Sequence, residues 1–178
     1  MLHRLLIPIV ACCVVLLCTG CTPRQSKDQY QERLSNAVAV RNDVSNGLTR
    51  HQYSSGAEYT QAMKRVVDAS DELSSDQPPR GLGDAHEQMV AGMEGLQVLL
   101  SRLGRCADLE STSHQDARAC RQSISQDVYD EIRNDFEEAD TIYRQDGLSL
   151  PQDGGDGRSA GAVNRADVLD EPTDTTKG

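Results

Sequence analysis

The chain is built from amphipathic segments in which apolar residues recur at three- and four-residue steps, separated by short polar or glycine-rich interruptions. This spacing places the apolar side chains on one face of a helix, as in helices that pack against a common core. The strict apolar–polar alternation of a half-buried strand does not occur after the leader. The pattern therefore predicts an all-α protein.

Two helices are predicted before the first strong interruption. The first runs from about Asp28 to Gln52, and the second follows Ser55 and Glu58, which have the spacing of a capping box. Their apolar positions are Tyr30, Leu34, Ala37, Val38, Val44 and Leu48, then Tyr59, Ala62, Met63, Val66, Val67 and Leu73. Two prolines and two glycines between residues 76 and 83 end the second helix.

The third helix shows the clearest periodicity. Asp84 and Glu87 again have capping-box spacing, and the helix is expected to end before Gly104. Its apolar stripe consists of Met89, Val90, Met93, Leu96, Leu99, Leu100 and Leu103. A polar connection follows, from Arg105 to about His114.

The fourth stripe predicts the longest helix, which continues to Gly147. It consists of Ala117, Cys120, Ile124, Val128, Ile132, Phe136, Ala139 and Tyr143. Four such helices joined by turns predict an antiparallel up-down-up-down four-helix bundle over residues 28–147. The acidic segment 148–178 is rich in Gly, Asp and Thr, which predicts a disordered tail.

The N-terminal segment has the form of a secretory signal peptide. A basic start containing Arg4 precedes 14 apolar residues, Leu5 to Cys18. This run is shorter than the roughly 20 residues that a spanning helix needs. The following Cys18-Thr19-Gly20-Cys21 resembles the lipobox of bacterial lipoproteins, although Cys18 stands where Leu is usual.

The resemblance implies that residues 1–20 are removed and that Cys21 carries the lipid. The chain would then be anchored outside the cytoplasm, in the cell membrane or the outer membrane, through the tether 21–27. Two or three acyl chains give stable attachment. The remaining 158 of the 178 residues suffice for one domain.

The cysteine count fits an oxidising compartment. Three cysteines leave with the leader and Cys21 takes the lipid, so Cys106 and Cys120 remain and are predicted to form a disulfide. The alternative is a pair of buried free thiols.

Charge and composition narrow the partners. The formal net charge is −10, and no Lys/Arg block follows the leader, which argues against nucleic-acid binding. Trp is absent and there is a single Phe, which disfavours aromatic platforms for sugars or bases. The segment from Asp127 to Asp146 has eight acidic and two basic residues. It is interpreted as a solvated helix face, with an acidic docking surface or weak divalent-cation binding as alternatives.

No common enzyme motif or haem-attachment motif is found, so no catalysis and no cofactor are predicted. Two metal sites remain as alternatives. Copper(I) could bind His86, Met89 and Met93 with Met63 opposite, although methionines at helical spacing usually fill a core. Zinc could bind His51 and His114 with Asp108, Glu110 and Asp116.

The segment from Pro78 to His86 resembles a proline turn followed by a helix with His, a pattern of uncharacterised bacterial lipoproteins with small helical ectodomains. This resemblance implies no activity. We therefore predict a lipoprotein that binds or scaffolds an envelope protein. The alternatives are a small-ligand or metal sensor or carrier, and an envelope hydrolase. The candidate partner surface is the membrane-distal end, residues 50–55 and 105–115, with Tyr53 and Arg105 as its candidate contact residues.

Overall fold

The computed structural model describes residues 26–75, 77–151 and 163–169. These residues form helices and turns without any strand, which confirms the all-α prediction. The helices are α1 (Lys27–Thr49), α2 (Gly56–Ser74), α3 (Gly83–Glu110), α4 (His114–Gln122), α5 (Gln126–Gln145) and α6 (Arg165–Leu169).

Serine side chains begin four of the helices. Ser26, Ser55, Ser113 and Ser125 each accept a hydrogen bond from a backbone N–H two or three residues further on. Such caps satisfy amide groups that have no partner within the helix. At Ser55 the predicted capping box is complete, because the Glu58 side chain also accepts from the Ser55 backbone.

The third helix differs from its prediction at both ends. It begins at Gly83 behind Leu82, whose apolar side chain makes no capping bond, so the predicted box of Asp84 and Glu87 is wrong. It also continues through Gly104 to Glu110. Gly104 lies against Tyr59, since a Cβ added there would come 3.0 Å from the Tyr59 Cβ. This glycine allows a close helix contact and does not end the helix.

The predicted fourth helix is wrong as a single element, because it is divided into α4 and α5. Ser123 ends α4, and Ser125 caps α5. Serine at these positions bonds to nearby backbone groups, which competes with a continuous helix. Ile124 stays buried at the corner, so the apolar stripe crosses the break without interruption.

Helix α3 lies at the centre of the packing. It packs most extensively against α2 and α5 and also contacts α4, whereas α1 packs against α2 and α6. Two glycines bring α3 and α5 together: a Cβ at Gly92 would come 2.6 Å from the Phe136 ring, and one at Gly95 would come 2.7 Å from Ile132. The backbones of these two helices therefore approach closely.

The segment after α5 is also part of the core. Leu148, Val163 and Val168 are buried, and Arg165 donates hydrogen bonds to the carbonyls of Gln122 and Ile124. The prediction of disorder from residue 148 is thus wrong for residues 148–151 and 163–169, because their apolar side chains find a surface of the bundle. The rest of the predicted tail, 152–162 and 170–178, lies outside the described residues. Among the described helices, none is both long and apolar enough to cross a membrane.

Candidate functional site

A surface groove runs between α3 and α5. Its volume is about 360 Å³, and its lining combines apolar side chains with charged side chains. The lining residues are Ala91, Glu94, Gly95, Val98, Arg102, Val128, Glu131, Ile132 and Asp135. The floor exists because Gly95 has no side chain to fill the space in front of Ile132.

The groove contains the most exposed large apolar residue in the described part of the chain. Val98 is 49% exposed, and Leu109, outside the groove on the same helix, is 38% exposed. A single exposed apolar residue has little meaning, but one that adjoins a groove with an apolar floor is typical of a binding surface. Val98 is therefore the apolar residue best placed to contact a partner.

The groove is acidic. Glu94, Glu131 and Asp135 line it against one cation, Arg102. Burial raises the pKa of Asp135, and the neighbouring carboxylates of Glu131 and Glu138 raise it further. Asp135 thus lies near the like charge of a second groove carboxylate, Glu131, and a cation next to these two side chains would favour their charged forms.

A buried ion pair lies inside the bundle, between α1 and α5. Arg41 is fully buried, and its Nη1 lies 3.0 Å from Oδ1 of Asp140, whose side chain is 8% exposed. The Arg41 Nε donates to Asn42, and its guanidinium lies 5.0 Å from the centre of the Phe136 ring. Nη2 of Arg41 has no hydrogen-bond partner among the described residues. Asp140 therefore does not belong to the solvated face that the acidic sequence of this helix suggests.

A chain of hydrogen bonds joins three helices next to the proline turn. The Tyr30 hydroxyl lies 2.8 Å from that of Tyr143 and 3.1 Å from Nδ1 of His86. Burial raises the pKa of Tyr30 to about 12 and lowers the pKa of His86. These shifts favour the uncharged forms, so this cluster holds α1, α3 and α5 together without a net charge.

The predicted partner residues lie in different environments. Tyr53 is half-buried: its ring packs against Gly47 and lies 5.4 Å from the Tyr59 ring. Arg105 is exposed and donates a long hydrogen bond to the Ser101 carbonyl. Much of the Tyr53 side chain is thus buried by contacts within its own domain.

Cys106 and Cys120 form a disulfide in the structure, with a Cα–Cα distance of 5.4 Å. Cys106 is buried in the last turns of α3, and Cys120 lies near the end of α4. The bridge therefore folds the short helix α4 back against α3.

The methionines proposed for copper are in the core. Met89 and Met93 are fully buried, Met63 packs against the core, and Nδ1 of His86 contacts Tyr30. In the described residues no three His, Cys, Asp or Glu side chains are grouped as they would be around a metal ion.

Of the side chains proposed for zinc, Glu110 and His114 pair with each other. Glu110 contacts His114 at 2.6 Å and Arg121 at 2.8 Å, and these two hydrogen bonds lower its pKa. Its carboxylate thus joins the end of α3 to α4.

The proposed lipid site, Cys21, lies outside the described residues, as does the leader. Comparison of the chain with protein-family models, with curated proteins and with solved structures finds no match.

Sequence reasoning missed the groove and the Arg41–Asp140 pair. Two features of the sequence are consistent with the groove: the acidic residues of α5, and the two glycines three residues apart, Gly92 and Gly95, which allow a close approach of another helix. The sequence does not indicate which carboxylate is buried, because the spacing of apolar residues predicts the burial of apolar side chains only.

Proposed function

We propose that this chain is a lipid-anchored cell-envelope lipoprotein whose helical domain binds another envelope protein and has no catalytic activity of its own. The groove between α3 and α5 is the single observation that carries the binding function, since it combines an apolar floor, an exposed Val98 and charged walls. Small-molecule and protein sites share this combination of apolar area and a few placed charges. The lipobox-like Cys18–Cys21 sequence supports the anchor.

The proposal includes an arrangement relative to the membrane. We take α1, α2, α3 and α5 as the four antiparallel members of an up-down-up-down bundle, with α4 as an insertion. Contacts that support this order include Arg33 with Ser75, at opposite ends of α1 and α2, and Gly104 with Tyr59, at opposite ends of α3 and α2. If α1 rises from the tether, α3 rises too, and the groove begins about 12 Å above the start of α3.

In this arrangement the groove faces sideways and the predicted distal surface faces away from the membrane. The groove is the better candidate, because Tyr53 is already packed against Gly47 and Tyr59. Partner contact through Tyr53 and Arg105 remains a separate hypothesis, which the same experiment tests.

Site-specific crosslinking in the native membrane tests the binding function. A photo-crosslinking amino acid replaces Val98 in one variant and Leu109 in a second, and Leu109 is exposed on the same helix, outside the groove and within the predicted distal surface 105–115. We expect a defined protein adduct from position 98 and none from position 109. An adduct at 98 that persists in Tyr53→Ala/Arg105→Ala assigns the contact to the groove. No adduct at 98, or one lost in that double variant, contradicts the groove as the binding site.

The anchor has its own test. Mass spectrometry of the membrane-purified protein should show a chain that begins at an acylated Cys21, and Cys21→Ser should remain unmodified by lipid. A mature wild-type chain without acyl groups would contradict the lipoprotein assignment and would leave the groove hypothesis standing.

A further inference from the structure

We infer that the occupant of the α3–α5 groove is an amphipathic helix of a partner protein, with apolar residues on one face and basic residues beside them. This inference rests on the proposed function, that the groove is a binding surface. It adds the chemical class and the orientation of the partner segment.

The length and shape of the groove favour a helix. From Ala91 to Arg102 the lining covers eleven residue steps of α3, which is about 16 Å or three helical turns. A helix laid along this length would present apolar side chains at i, i+3 or i+4, and i+7 to Val98, Val128 and Ile132. A peptide that binds as an added strand would need a sheet edge, and the described residues have no strand. A polyproline peptide would need an aromatic-lined groove, and no aromatic residue lines this one.

The charge of the groove favours basic residues in the occupant. Burial, together with the neighbouring carboxylates of Glu131 and Glu138, raises the pKa of Asp135. Three carboxylates and one guanidinium line the groove, so two of its negative charges have no compensating cation within the lining. Lysine or arginine side chains next to Glu131 and Asp135 would supply it. A second copy of this chain is a poor occupant, because the net charge of −10 makes two copies repel.

The distribution of charge also sets the direction of the bound helix. Gly95 faces Ile132 and Gly92 faces Phe136, so α5 runs antiparallel to α3. Asp135, which precedes Phe136, therefore lies with Glu94 towards the start of α3. Arg102 lies at the other end of the groove. A helix carries partial positive charge at its N-terminus and partial negative charge at its C-terminus. The partner helix is therefore expected to run parallel to α3, with its C-terminus beside Arg102.

Synthetic peptides test the chemistry of the occupant on the purified full-length protein that carries the photo-crosslinking amino acid at position 98. Two peptides of about 14 residues, or four turns, share the same apolar positions, and one has Lys and Arg on the flank while the other has Glu. The readout is the peptide concentration that gives a half-maximal adduct, measured by mass spectrometry. We expect the basic peptide to react at a concentration at least about tenfold lower than the acidic one.

A pair of charge variants locates the effect. Glu131→Gln/Asp135→Asn removes two groove carboxylates, and Asp71→Asn/Glu137→Gln removes two exposed carboxylates elsewhere. The groove variant should raise the half-maximal concentration of the basic peptide about fivefold, which matches two partly exposed charge pairs, and the control should leave it unchanged. Equal adduct formation by the two peptides, or equal effects of the two variants, would overturn the inference.

The partner segment captured in the membrane separates this inference from the proposed function. If the segment crosslinked to position 98 is a basic amphipathic sequence, both hold. If position 98 captures a defined segment that is acidic, uncharged or without helical periodicity, the groove is still a binding site and the inference about its occupant falls.

Discussion

Arg41 is the largest side chain that is fully buried in the described part of the protein, and a single carboxylate compensates its charge. Burying two charges costs desolvation energy that their attraction repays only when the geometry is good. The pair therefore adds little net stability, but replacing either residue alone would leave an uncompensated buried group and destabilise the fold.

A double-mutant cycle tests this coupling. Asp140→Asn should lower the free energy of unfolding by about 3–5 kcal/mol, because it leaves the Arg41 charge buried without its counterion. Arg41→Met/Asp140→Asn should be much closer to the parent, since the methionine refills the space without a charge. Denaturant unfolding at neutral pH measures both. A double variant whose loss of stability equals the sum of the losses in Asp140→Asn and in Arg41→Met would contradict the coupling.

His86 gives a pH dependence whose sign follows from its surroundings. Burial lowers its pKa, with an opposing contribution from Glu87, and its Nδ1 can accept a hydrogen bond from Tyr30 only while unprotonated. Below the unfolded-state pKa of about 6.5, the unfolded chain binds the proton more readily, so stability falls with decreasing pH. His86→Gln should reduce this fall between about pH 7 and pH 5 in denaturant titrations. His51→Asn, at an exposed loop position, should not; equal slopes in both variants would contradict the role of His86.

Neither of these residue-scale features could be predicted from sequence. The position of His86 in the first turn of a helix is visible from the proline turn, but its partner Tyr30 lies 56 residues away. Asp140 is one of eight acidic residues in its segment, and it differs from the others in its contact with the buried Arg41 of α1. Local sequence patterns do not contain such long-range pairings.

At the scale of the element, local chemistry predicted some helix ends and not others. Ser55 and Glu58 form their capping box because both partners lie within three residues of each other. The sequence pattern predicts a helix end at Gly104, whereas in the structure this glycine lets α2 approach α3. The apolar period does not indicate the break between α4 and α5, because Ile124 keeps that period while Ser123 ends α4 and Ser125 caps α5.

The close contact of α3 with α5 gives an element-scale prediction. Gly92→Ala should destabilise the fold by about 1–3 kcal/mol, because the new methyl group would meet the Phe136 ring, even though alanine favours a helix. Gly83→Ala is the matched control, since a Cβ there has nothing within 4 Å. Thermal unfolding compares the two variants. A Gly92→Ala protein at least as stable as Gly83→Ala would show that the helices can separate without cost.

The disulfide holds a short helix in place. Helix α4 has nine residues, below the length at which an isolated helix is stable in water, so it depends on its attachment to α3. Cys106→Ala/Cys120→Ala should lower the free energy of unfolding by about 3 kcal/mol, from the entropy of a closed loop of about 15 residues. Denaturant unfolding measures the loss, and reduction of the parent should reproduce it. Non-reducing peptide mapping that recovers both thiols free would remove the basis of this prediction.

At the scale of the whole molecule, the spacing of apolar residues predicts the class of the fold, and composition predicts the sign of the net charge. Neither predicts which surface is concave. The groove depends on the distance between α3 and α5, which two glycines and the packing of Phe136 and Ile132 determine together. An excess of carboxylates becomes a candidate binding surface only where such packing leaves an apolar floor between them.

The segment 163–169 shows how the whole chain contributes to one core. Val163 and Val168 are buried, and Arg165 binds the carbonyls of Gln122 and Ile124 at the break between α4 and α5. A chain truncated after Pro151 should therefore lose about 1–3 kcal/mol of unfolding free energy, because burial of two valines is offset in part by the ordering of the segment. A chain truncated after Leu169 keeps these contacts and should match the parent in denaturant unfolding. Equal stability of the two truncated chains would mean that α6 does not stabilise the fold. Faster hydrogen exchange around Ile124 in the shorter chain alone would show that α6 stabilises the break between α4 and α5.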